Sequence, residues 1–466
     1  MSPLVHELSP VPDPLDALRR FADLDGTLLL ESALRRPRLG RYTFLAADPF
    51  RRFRVGTARH GVDPLTPIAD ALRAFPASPV PGLPPFQGGA AGLLGYDLAD
   101  AWERLPAPRH DEFGLPVVSV GLYDGVLAWD HAEGRAWIVS QGFPAHAEAE
   151  RRSIAEKRLR WMLDRLAGPE RPPRQDPGGA VAGRLCPQFP LEGWPEVTST
   201  FSRDDYLRAV ERVVEYIRAG DVFQANLSQR LLARWPGPPI DLYARLREAN
   251  PAPFAAYYAA GDWAVVSSSP ERFVQVRDGE AETRPIKGTR PRSLDPAQDE
   301  RLRSSLQASE KDRAENVMIV DLLRNDLSKV CRPGTVRVPE LCSLETYETV
   351  HHLVSAVTGT LEPGKTAWDL IAACFPGGSV TGAPKVRATE ILRELEPTAR
   401  GPYCGSLFYV GFDGACDSSL LIRTAAVKGG WVQFGVGGGV TASSDPQAEY
   451  EETLDKARGM LKALES

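Results

Sequence analysis

Short apolar runs separated by turn residues dominate the chain, and their period is mostly that of β-strands. The clearest runs are rich in β-branched and aromatic residues and lie at 117–123, 136–139, 405–410, 419–424 and 431–434. These strands occur in sequential runs, and helical stretches lie between them at irregular intervals. This order favours an α+β fold with mostly antiparallel sheets over the regular alternation of a parallel α/β fold.

Four stretches have the period of helices, and two of them carry clear boundary signals. Ser202 is a preferred N-cap residue before one stretch, and Gly220 is a preferred terminator after it. Pro446, directly after Asp445, is a favourable first residue for the last helix. The predicted helices span residues 147–166, 204–219, 309–329 and 446–466. The apolar face predicted for the second helix consists of Leu207, Val210, Val214 and Ile217.

A stretch rich in proline, glycine and arginine divides the chain. It begins with GPERPP at residues 168–173 and continues with little periodicity to about Trp194. We interpret residues 168–196 as a linker between a strand-rich N-terminal domain, 1–167, and a C-terminal domain, 197–466. The length of 466 residues is compatible with one to three domains.

Composition narrows the classes of function. Apolar residues make up 43% and charged residues 25% of the chain, as in ordinary globular enzymes. The net charge of −6 provides no basic field for nucleic acid or an anionic membrane, so small anions are better partners. The N-terminus lacks the features of a secretory signal and no apolar run approaches the length of a membrane span, so we expect a cytoplasmic protein. The six cysteines form no CxxC pair that would indicate a zinc or disulfide framework.

One amine and one carboxylate lie in segments that suggest chemistry. Lys287 belongs to PIKGTR, residues 285–290, among residues suited to holding an anion. Glu271 lies upstream in SSSPER, residues 267–272, which is typical of a strand that ends in a turn. A carboxylate there can act as a general acid or base, and a buried lysine can act as a nucleophile. The alternative is that Lys287 only forms an ion pair with Glu271 or with a carboxylate of the ligand.

Two predicted helices each carry carboxylates three residues apart, so the two members of each pair share a helix face. The pairs are Asp312 with Glu315, and Glu449 with Glu452. Oxygen ligands from two helices, without histidine or cysteine nearby, suit Mg²⁺. The alternative is that these side chains favour the helix dipole or form surface ion pairs with Lys311, Arg313 and Lys456.

Two glycine-rich segments invite comparison with nucleotide-binding loops. Residues 437–442, GGGVTA, fit G-x-G-x-x-A after a strand, but the crossover helix, second parallel strand and acidic residue of a dinucleotide-binding unit do not follow. Residues 377–385, GGSVTGAPK, have the glycine spacing of a phosphate loop but carry Ala383 where the lysine must stand. We expect the glycines at 437–439 to expose backbone N–H groups as an anion-binding nest beside a helix N-terminus.

Together these segments resemble the chorismate-utilising enzymes. The residues that carry the resemblance lie at 267–272, 285–290, 310–326 and 449–454, with less specific matches at 29–32, 40–44 and 92–96. The resemblance implies an α+β fold in which mostly antiparallel sheets pack as a two-layer β-sandwich with surrounding helices, and it makes 197–466 the chorismate-binding catalytic domain. It also implies Mg²⁺, held against the ring carboxylate of the substrate by Glu315 and Glu452, with Asp312 and Glu449 as indirect or water-mediated partners.

The same resemblance assigns roles to individual residues. Lys287 would be the nucleophile and Glu271 the acid and base. His352 would donate a proton near the leaving group, although a lone histidine in an apolar strand is more often a hydrogen-bonded core residue. The substrate-binding residues that the resemblance implies are Gly288, Thr289, Ser379, Thr381, Tyr409, Arg423, Gly437, Gly438, Gly439 and Lys456. For Arg423, the alternative is a buried ion pair.

Position 287 separates two branches of this family. Aminodeoxychorismate synthases, component I, carry lysine there, and most anthranilate synthases carry alanine. The resemblance thus implies addition of ammonia at C4 of chorismate for p-aminobenzoate and folate synthesis. The alternatives are amination at C2 with release of pyruvate, as in anthranilate synthase component I, and a non-catalytic amino-acid-binding regulator.

The chain lacks two features that would provide water, or ammonia from glutamine, as the group that adds to the substrate. Gln224 stands where isochorismate and salicylate synthases carry a lysine that activates water, so addition of water is not expected. The segment GACDS at residues 414–418 is the nearest match to a cysteine nucleophile elbow, and it lacks the closing glycine. Because hydrolysis of glutamine needs such a nucleophile, we expect ammonia to come from a separate glutamine amidotransferase subunit.

A possible amino-acid pocket is suggested in the N-terminal part of the chain. Glu31, Ser32, Asn250 and Pro251 resemble the tryptophan pocket of anthranilate synthases. The motif NPAPF at residues 250–254 has alanine and phenylalanine where that pocket usually has serine and tyrosine. The resemblance therefore predicts a pocket without predicting feedback control by tryptophan.

Overall fold

The computed structural model describes residues 2–35, 39–173, 181, 185–346 and 350–465. The strands, in chain order, are β1 Leu4–Glu7, β2 Thr27–Glu31, β3 Tyr42–Ala46, β4 Arg51–Val55, β5 Gly89–Leu94, β6 Val118–Tyr123, β7 Gly125–Asp130, β8 Arg135–Ser140, β9 Phe189–Leu191, β10 Trp194–Ser199, β11 Gln224–Arg234, β12 Phe254–Ala260, β13 Trp263–Ser269, β14 Arg272–Arg277, β15 Glu280–Thr283, β16 Ile286–Pro291, β17 Arg337–Thr346, β18 Val350–Thr360, β19 Gly382–Ala383, β20 Ser406–Gly411, β21 Cys416–Leu420, β22 Thr424–Lys428 and β23 Trp431–Val440.

Helices lie between these strands at irregular intervals. The α-helices are α1 Pro14–Phe21, α2 Thr66–Arg73, α3 Glu148–Ala167, α4 Arg203–Ala219, α5 Pro239–Ala249, α6 Pro296–Ala308, α7 Glu310–Ser328, α8 Ala367–Cys374, α9 Lys385–Leu395 and α10 Pro446–Leu464. The described part of the chain also has two short 3₁₀ turns, Tyr96–Ala101 and Gly378–Val380. Among the described residues, no helix combines the length and the apolar character needed to cross a membrane.

Within the described ranges, the strands form two sheets in which neighbouring strands run antiparallel. The first has thirteen strands in the order β1-β8-β7-β3-β2-β12-β13-β22-β23-β11-β10-β9, with β19 beside β11. The second has ten strands in the order β16-β18-β15-β14-β21-β20-β5-β6-β4, with β17 beside β18. Because β2 pairs with β12 and β5 pairs with β20, the segments before and after the predicted linker contribute to both sheets.

This interleaving bears on how the chain is divided. The division into domains at 1–167 and 197–466 stays a prediction about the sequence. The predicted linker, 168–196, includes β9 and the start of β10, while its residues 174–180 and 182–184 lie outside the described part of the chain. The C-terminal end of that stretch is therefore part of the first sheet.

The two sheets pack against each other over a shared apolar layer. Leu28 and Val265 from the first sheet and Leu93 and Leu407 from the second belong to one buried cluster. The other face of the first sheet is covered by helices that include α1, α5 and α10, and the other face of the second by α2, α7 and α8. The predicted α+β fold, a two-layer antiparallel sandwich with surrounding helices, is confirmed.

Local capping signals account for the helix boundaries. The Oγ atom of Ser202 accepts a hydrogen bond from the backbone N–H of Asp205 at 3.1 Å, and Gly220 ends α4 with a φ of +86°. Asp445 caps α10 by accepting from the N–H of Ala448 at 2.9 Å. The predicted apolar face of α4 is confirmed, because Val210 and Val214 are buried in one cluster and the half-buried Leu207 and Ile217 pack against it. The fully covered residues of α4 are Tyr206, Ala209, Val210, Val213 and Val214.

The predicted strand at 419–424 is interrupted. Strand β21 ends at Leu420 and β22 begins at Thr424. Between them, Arg423 has a φ of +53°, a left-handed conformation that does not occur within a strand. The apolar run therefore predicted the right region but joined two strands into one.

Candidate active site

Lys287 lies in β16 at the edge of the second sheet, where β16 pairs with β18. Its Nζ atom donates a hydrogen bond to the carbonyl oxygen of Ser379 at 2.9 Å. Burial lowers the pKa of Lys287 below the ordinary lysine value, while the carboxylates of Glu315 and Glu271 oppose that shift. The sequence left open which effect prevails. Burial does, which makes the neutral and nucleophilic amine more available than that of an exposed lysine.

Glu271 lies in the turn between β13 and β14 and is only 6% exposed. Its Oε1 atom accepts a hydrogen bond from the Oγ atom of Ser379 at 2.9 Å. Burial raises the pKa of Glu271 to about 7, although the charge of Lys287 and the hydrogen bond from Ser379 act in the opposite direction. A carboxyl group with this pKa can both release and accept a proton near neutral pH, as general acid–base catalysis requires.

His352 contacts Thr289, which lies two residues after Lys287 in β16. The Nδ1 atom of His352, in β18, is 2.9 Å from the Oγ1 atom of Thr289, and His352 is buried. The pairing of β16 with β18 is irregular between Lys287 and Thr289, where Gly288 has a φ of +78°. Glycine adopts this conformation without steric cost. The irregularity at Gly288 thus places Thr289 directly opposite His352, while Lys287 pairs with the next residue of β18, Leu353.

The two carboxylate pairs on α7 and α10 come to one region. Lys311 of α7 is 3.5 Å from Glu449 of α10, measured from Nζ to Oε1. Lys456 is 2.7 Å from Glu452, between the same atom types. Burial raises the pKa of Glu315, and the nearby charges of Lys287 and Lys311 counteract the increase. The charges on both helices therefore act on the same small region as Lys287.

Asp312 has a different set of neighbours from the other three carboxylates. Its Oδ2 atom accepts a hydrogen bond from Nη2 of Arg290 at 3.1 Å. It also packs directly against the backbone of Gly288, since a methyl group at that glycine would lie 2.9 Å from Cγ of Asp312. Asp312 thus connects α7 to the strand that carries Lys287.

The donor atoms fit Mg²⁺ in chemistry, because they are carboxylate oxygens on facing helices. Gly438 leaves them room, since a methyl group there would lie 3.0 Å from Oε2 of Glu449 and 3.5 Å from Oε1 of Glu452. Across the described ranges, no three side chains of histidine, cysteine, aspartate or glutamate converge closely enough to hold a metal ion together. The lysines that pair with Glu449 and Glu452 lie among these carboxylates instead, and Mg²⁺ stays a prediction.

Gly437, Gly438 and Gly439 do not form the predicted loop, while their contact with substrate stays a prediction. These residues continue β23, which pairs with β11 so that Gly438 lies opposite Leu227. Successive N–H groups of an extended strand point to opposite sides, so they cannot converge on one anion. The strand still belongs to the site, because Nζ of Lys456 donates to the carbonyl oxygen of Gly437 at 2.8 Å.

Two further predicted substrate contacts have local structural partners. The hydroxyl of Thr381 donates to the carbonyl oxygens of Gly377 and Gly378, at 3.1 and 3.3 Å, within its own turn. Arg423 lies between β21 and β22, and its carbonyl oxygen accepts from the N–H of Ser268 at 3.0 Å. The backbone of Arg423 is therefore next to the strand that leads to Glu271, and its contact with substrate stays a prediction.

Tyr409 lies in a different part of the molecule from Lys287. Its ring stacks on Phe86, with 4.7 Å between centroids, and packs edge-on against Phe44 at 5.5 Å. It lines a cavity of about 490 Å³ that Glu31 and Ser32 also line. The structure therefore groups Tyr409 with the predicted amino-acid pocket rather than with the lysine and carboxylate cluster.

The polar residues of this cavity are largely engaged within the protein. The carboxylate of Glu31 accepts hydrogen bonds from Tyr243 and from Arg247, whose Nη2 is 2.7 Å from Oε1. The hydroxyl of Ser32 donates to the carbonyl oxygen of Tyr42 at 2.7 Å. An amino-acid ligand here stays a prediction.

The other two residues predicted for this pocket, Asn250 and Pro251, follow the end of α5 and do not line the cavity. The carbonyl oxygen of Asn250 accepts a hydrogen bond from the hydroxyl of Ser268. Asn250 therefore joins the end of α5 to β13, and Pro251 is exposed. Glu31 and Ser32 line the predicted pocket together with Pro253 and Phe254 from the end of the same NPAPF motif.

Sequence reasoning missed three residues that organise the carboxylate cluster. Lys311 was considered only as a surface partner, although it lies four residues before Glu315 and so shares its helix face. Arg290 holds Asp312, and the hydroxyl of Ser444 donates to Oε1 of Glu449 at 2.6 Å. Helical spacing was a usable signal for Lys311, whereas the contacts of Arg290 and Ser444 depend on tertiary packing.

Comparisons with known proteins place these residues in a family. A family model described as chorismate binding enzyme matches residues 29–462. The chain is 41% identical to aminodeoxychorismate synthase component 1 of Salmonella typhimurium over 438 residues, covering 91% of this chain and 90% of that protein. It is 40% identical to anthranilate synthase component 1 of Thermus thermophilus over 467 residues, covering 98% and 96%.

Solved structures agree with the fold and the family. Anthranilate synthase component I from Streptococcus pneumoniae superposes with a TM-score of 0.76 at 30% identity, covering 92% of this chain and 93% of that one. The family model spans nearly the whole chain, including Lys287, Glu271 and the carboxylates of α7 and α10. The chain therefore belongs to the chorismate binding enzyme family.

Proposed function

We propose that this chain is component I of an aminodeoxychorismate synthase, which converts chorismate and ammonia to 4-amino-4-deoxychorismate for p-aminobenzoate and folate synthesis. One observation carries the proposal, namely the buried amine of Lys287 in the group that also contains Glu271. Burial lowers the pKa of Lys287 and raises that of Glu271 to about 7, so the pair is suited to nucleophilic attack and proton transfer. Most anthranilate synthases have alanine at the position of Lys287.

The proposed reaction uses Lys287 and Glu271 in two balanced steps. The neutral amine of Lys287 forms a bond to C2 of chorismate, the double bonds shift, and the C4 hydroxyl leaves as water with a proton from Glu271. Ammonia then forms a bond to C4, the double bonds shift back, and the C2–nitrogen bond breaks to release Lys287. The carboxylate of Glu271 accepts the proton that the new ammonium group loses.

Other residues would hold the substrate and the metal ion in the proposed reaction. Glu315 and Glu452, with Asp312 and Glu449 as indirect or water-mediated partners, would hold Mg²⁺, which neutralises the ring carboxylate when bound. Lys456 lies at the same cluster and would contribute positive charge. His352, in contact with Thr289, would lie near the leaving group as the alternative proton donor to Glu271.

We also propose that ammonia reaches this site from a separate glutamine amidotransferase subunit in the cytoplasm. Two observations support the proposal. The chain lacks the complete glycine–cysteine–glycine elbow that a glutamine-hydrolysing nucleophile needs, and its relatives are named component 1. The regulator alternative is less favoured, because Lys287, Glu271 and both carboxylate pairs are all retained.

Anthranilate synthase component I is the second candidate, because relatives with that name are about as similar as the aminodeoxychorismate synthases, at 40% and 41% identity. The products distinguish the two. The purified chain is incubated with chorismate, Mg²⁺ and a high concentration of ammonium at mildly alkaline pH, and the products are separated by chromatography. Aminodeoxychorismate without pyruvate supports the proposal. Anthranilate with pyruvate would replace it with the second candidate.

A further inference from the structure

Ser379 contacts both groups that the proposed reaction uses. Its hydroxyl donates to Oε1 of Glu271 at 2.9 Å, and its backbone carbonyl accepts from Nζ of Lys287 at 2.9 Å. The resemblance predicted Ser379 only as a substrate contact. In the structure, its side chain and its main chain each bind one of the two reacting residues, so a single residue relates the position of the amine to that of the carboxyl group.

The turn that carries Ser379 is tightly packed, which fixes both contacts. A methyl group at Gly377 would lie 2.7 Å from Leu420 of β21, and one at Gly378 would lie 2.7 Å from Leu322 of α7. The buried hydroxyl of Thr381 closes the turn from inside through the carbonyls of these two glycines. The turn therefore packs closely against β21 and α7, and its own hydrogen bonds hold the backbone on both sides of Ser379.

We propose that Ser379 is a positioning residue, whose hydroxyl orients the carboxyl group of Glu271 while its carbonyl orients the amine of Lys287. A neutral amine that donates one hydrogen to this carbonyl has its lone pair directed elsewhere, where an electrophilic carbon can meet it. The hydroxyl, by donating to Oε1, leaves the other carboxyl oxygen of Glu271 to exchange a proton. This role rests on the proposed function, because that function makes these two residues the nucleophile and the acid–base.

The hydroxyl should also favour the ionised form of Glu271, since a donated hydrogen bond is stronger to a carboxylate than to a carboxylic acid. It acts together with one nearby cation, because Lys287 of β16 also lowers the pKa of Glu271. Lys287 itself faces Glu315 of α7, and Glu452 and Lys456 of α10. Substitution of the Ser379 side chain leaves these charges and the carbonyl at position 379 in place.

The test measures kcat/KM for chorismate consumption as a function of pH. The limb of this pH profile that is due to Glu271 is identified by its loss in Glu271→Gln. Without the hydroxyl, the pKa of Glu271 rises, so in Ser379→Ala this limb should move to higher pH. A hydrogen bond to a charged group corresponds to a shift of about one pH unit. Ser379→Thr, which keeps a hydroxyl, should restore the limb to its original position.

A matched control separates positioning from a general loss of stability. Thr389→Val removes a buried hydroxyl from α9, the helix that follows the turn, and this hydroxyl contacts the carbonyl oxygen of Lys385 rather than Glu271. The variant should therefore lower the thermal midpoint without moving the limb. An unmoved limb in folded Ser379→Ala, or equal shifts in both variants, would overturn the proposal. Because the assay follows chorismate consumption, it is independent of which product forms, and chromatography of the same reactions tests the proposed function separately.

Discussion

The replacement Gly288→Ala tests whether the approach of α7 to β16 depends on the absence of a side chain. Gly288 has a φ of +78°, which alanine adopts only at a cost. A methyl group there would also lie 2.9 Å from Cγ of Asp312 and 2.9 Å from Cδ1 of Leu306. Alanine at this position therefore introduces both backbone strain and a steric clash.

The size of each effect follows from the geometry and from a matched site. Gly279, in the turn between β14 and β15, has nearly the same φ of +77°, but no atom lies within 4 Å of a methyl group there. Gly279→Ala should therefore lower the free energy of unfolding only by the cost of the left-handed conformation, about 1–2 kcal/mol. Gly288→Ala should lower the free energy of unfolding by a further amount of about 1–3 kcal/mol, because the methyl group overpacks against Asp312 and Leu306.

The assay is urea denaturation of both variants and the parent, followed by circular dichroism. The difference between the two variants isolates the steric contact, because both share the conformational cost. We expect Gly288→Ala to have the lower free energy of unfolding and a strongly reduced rate with ammonia, since Lys287 and Thr289 flank the site. Equal losses of stability in the two variants would refute the claim that α7 and β16 need a glycine at their contact.

Three other substitutions test the electrostatic and covalent roles. Lys287→Ala should lower turnover with ammonia about 100-fold or more, measured by chromatography, because the proposed nucleophile is lost. Glu396→Ala should lower the free energy of unfolding in urea by about 3–5 kcal/mol, since it leaves the buried guanidinium of Arg400 without its carboxylate. Lys311→Met should lower the Kd for Mg²⁺ roughly two- to fivefold, measured by calorimetry, because it removes the ammonium group that pairs with Glu449.

Each of these substitutions has a control and a contradicting result. Rates like those of the parent in folded Lys287→Ala would remove that residue from the nucleophile role. Glu394 is exposed and lies near the end of α9, two residues before Glu396, so Glu394→Ala should lower the free energy of unfolding only slightly. A loss of stability as large as that of Glu396→Ala would contradict the argument from the buried ion pair. Lys462→Met, on the exposed last turn of α10, should leave Mg²⁺ affinity unchanged, and weaker binding in Lys311→Met would mean that Lys311 supports the metal site.

Elements with local signals were predictable from the sequence. Helices α4, α7 and α10 begin within a residue or so of the predicted positions because Ser202, Ser309 and Asp445 accept hydrogen bonds from the first turn. The positions of Lys287 and Glu271 were identified by their motifs, and the structure places both beside Ser379. Local chemistry was sufficient for these features.

Features that depend on tertiary packing were not predictable in the same way. Glycine has low strand propensity, so Gly438 and its neighbours indicated a loop. They form a strand because they pair with β11, and a side chain at Gly438 would lie against Glu449 of α10. Similarly, Tyr409 follows Leu407 on the inner face of β20, so the register of that strand directs its ring into the layer between the sheets.

The site brings together ionic groups from distant segments of the chain, and their charges balance. Four carboxylates on α7 and α10 lie with four cationic groups, a formal balance of zero when all are ionised. These groups are Asp312, Glu315, Glu449 and Glu452, and Lys287, Lys311, Lys456 and Arg290. When Lys287 becomes neutral to act as a nucleophile, the cluster carries one negative charge, and a dianionic substrate adds two more. This excess of negative charge is costly in a partly buried site, so the proposed reaction needs further positive charge at the carboxylates, which a divalent cation would supply.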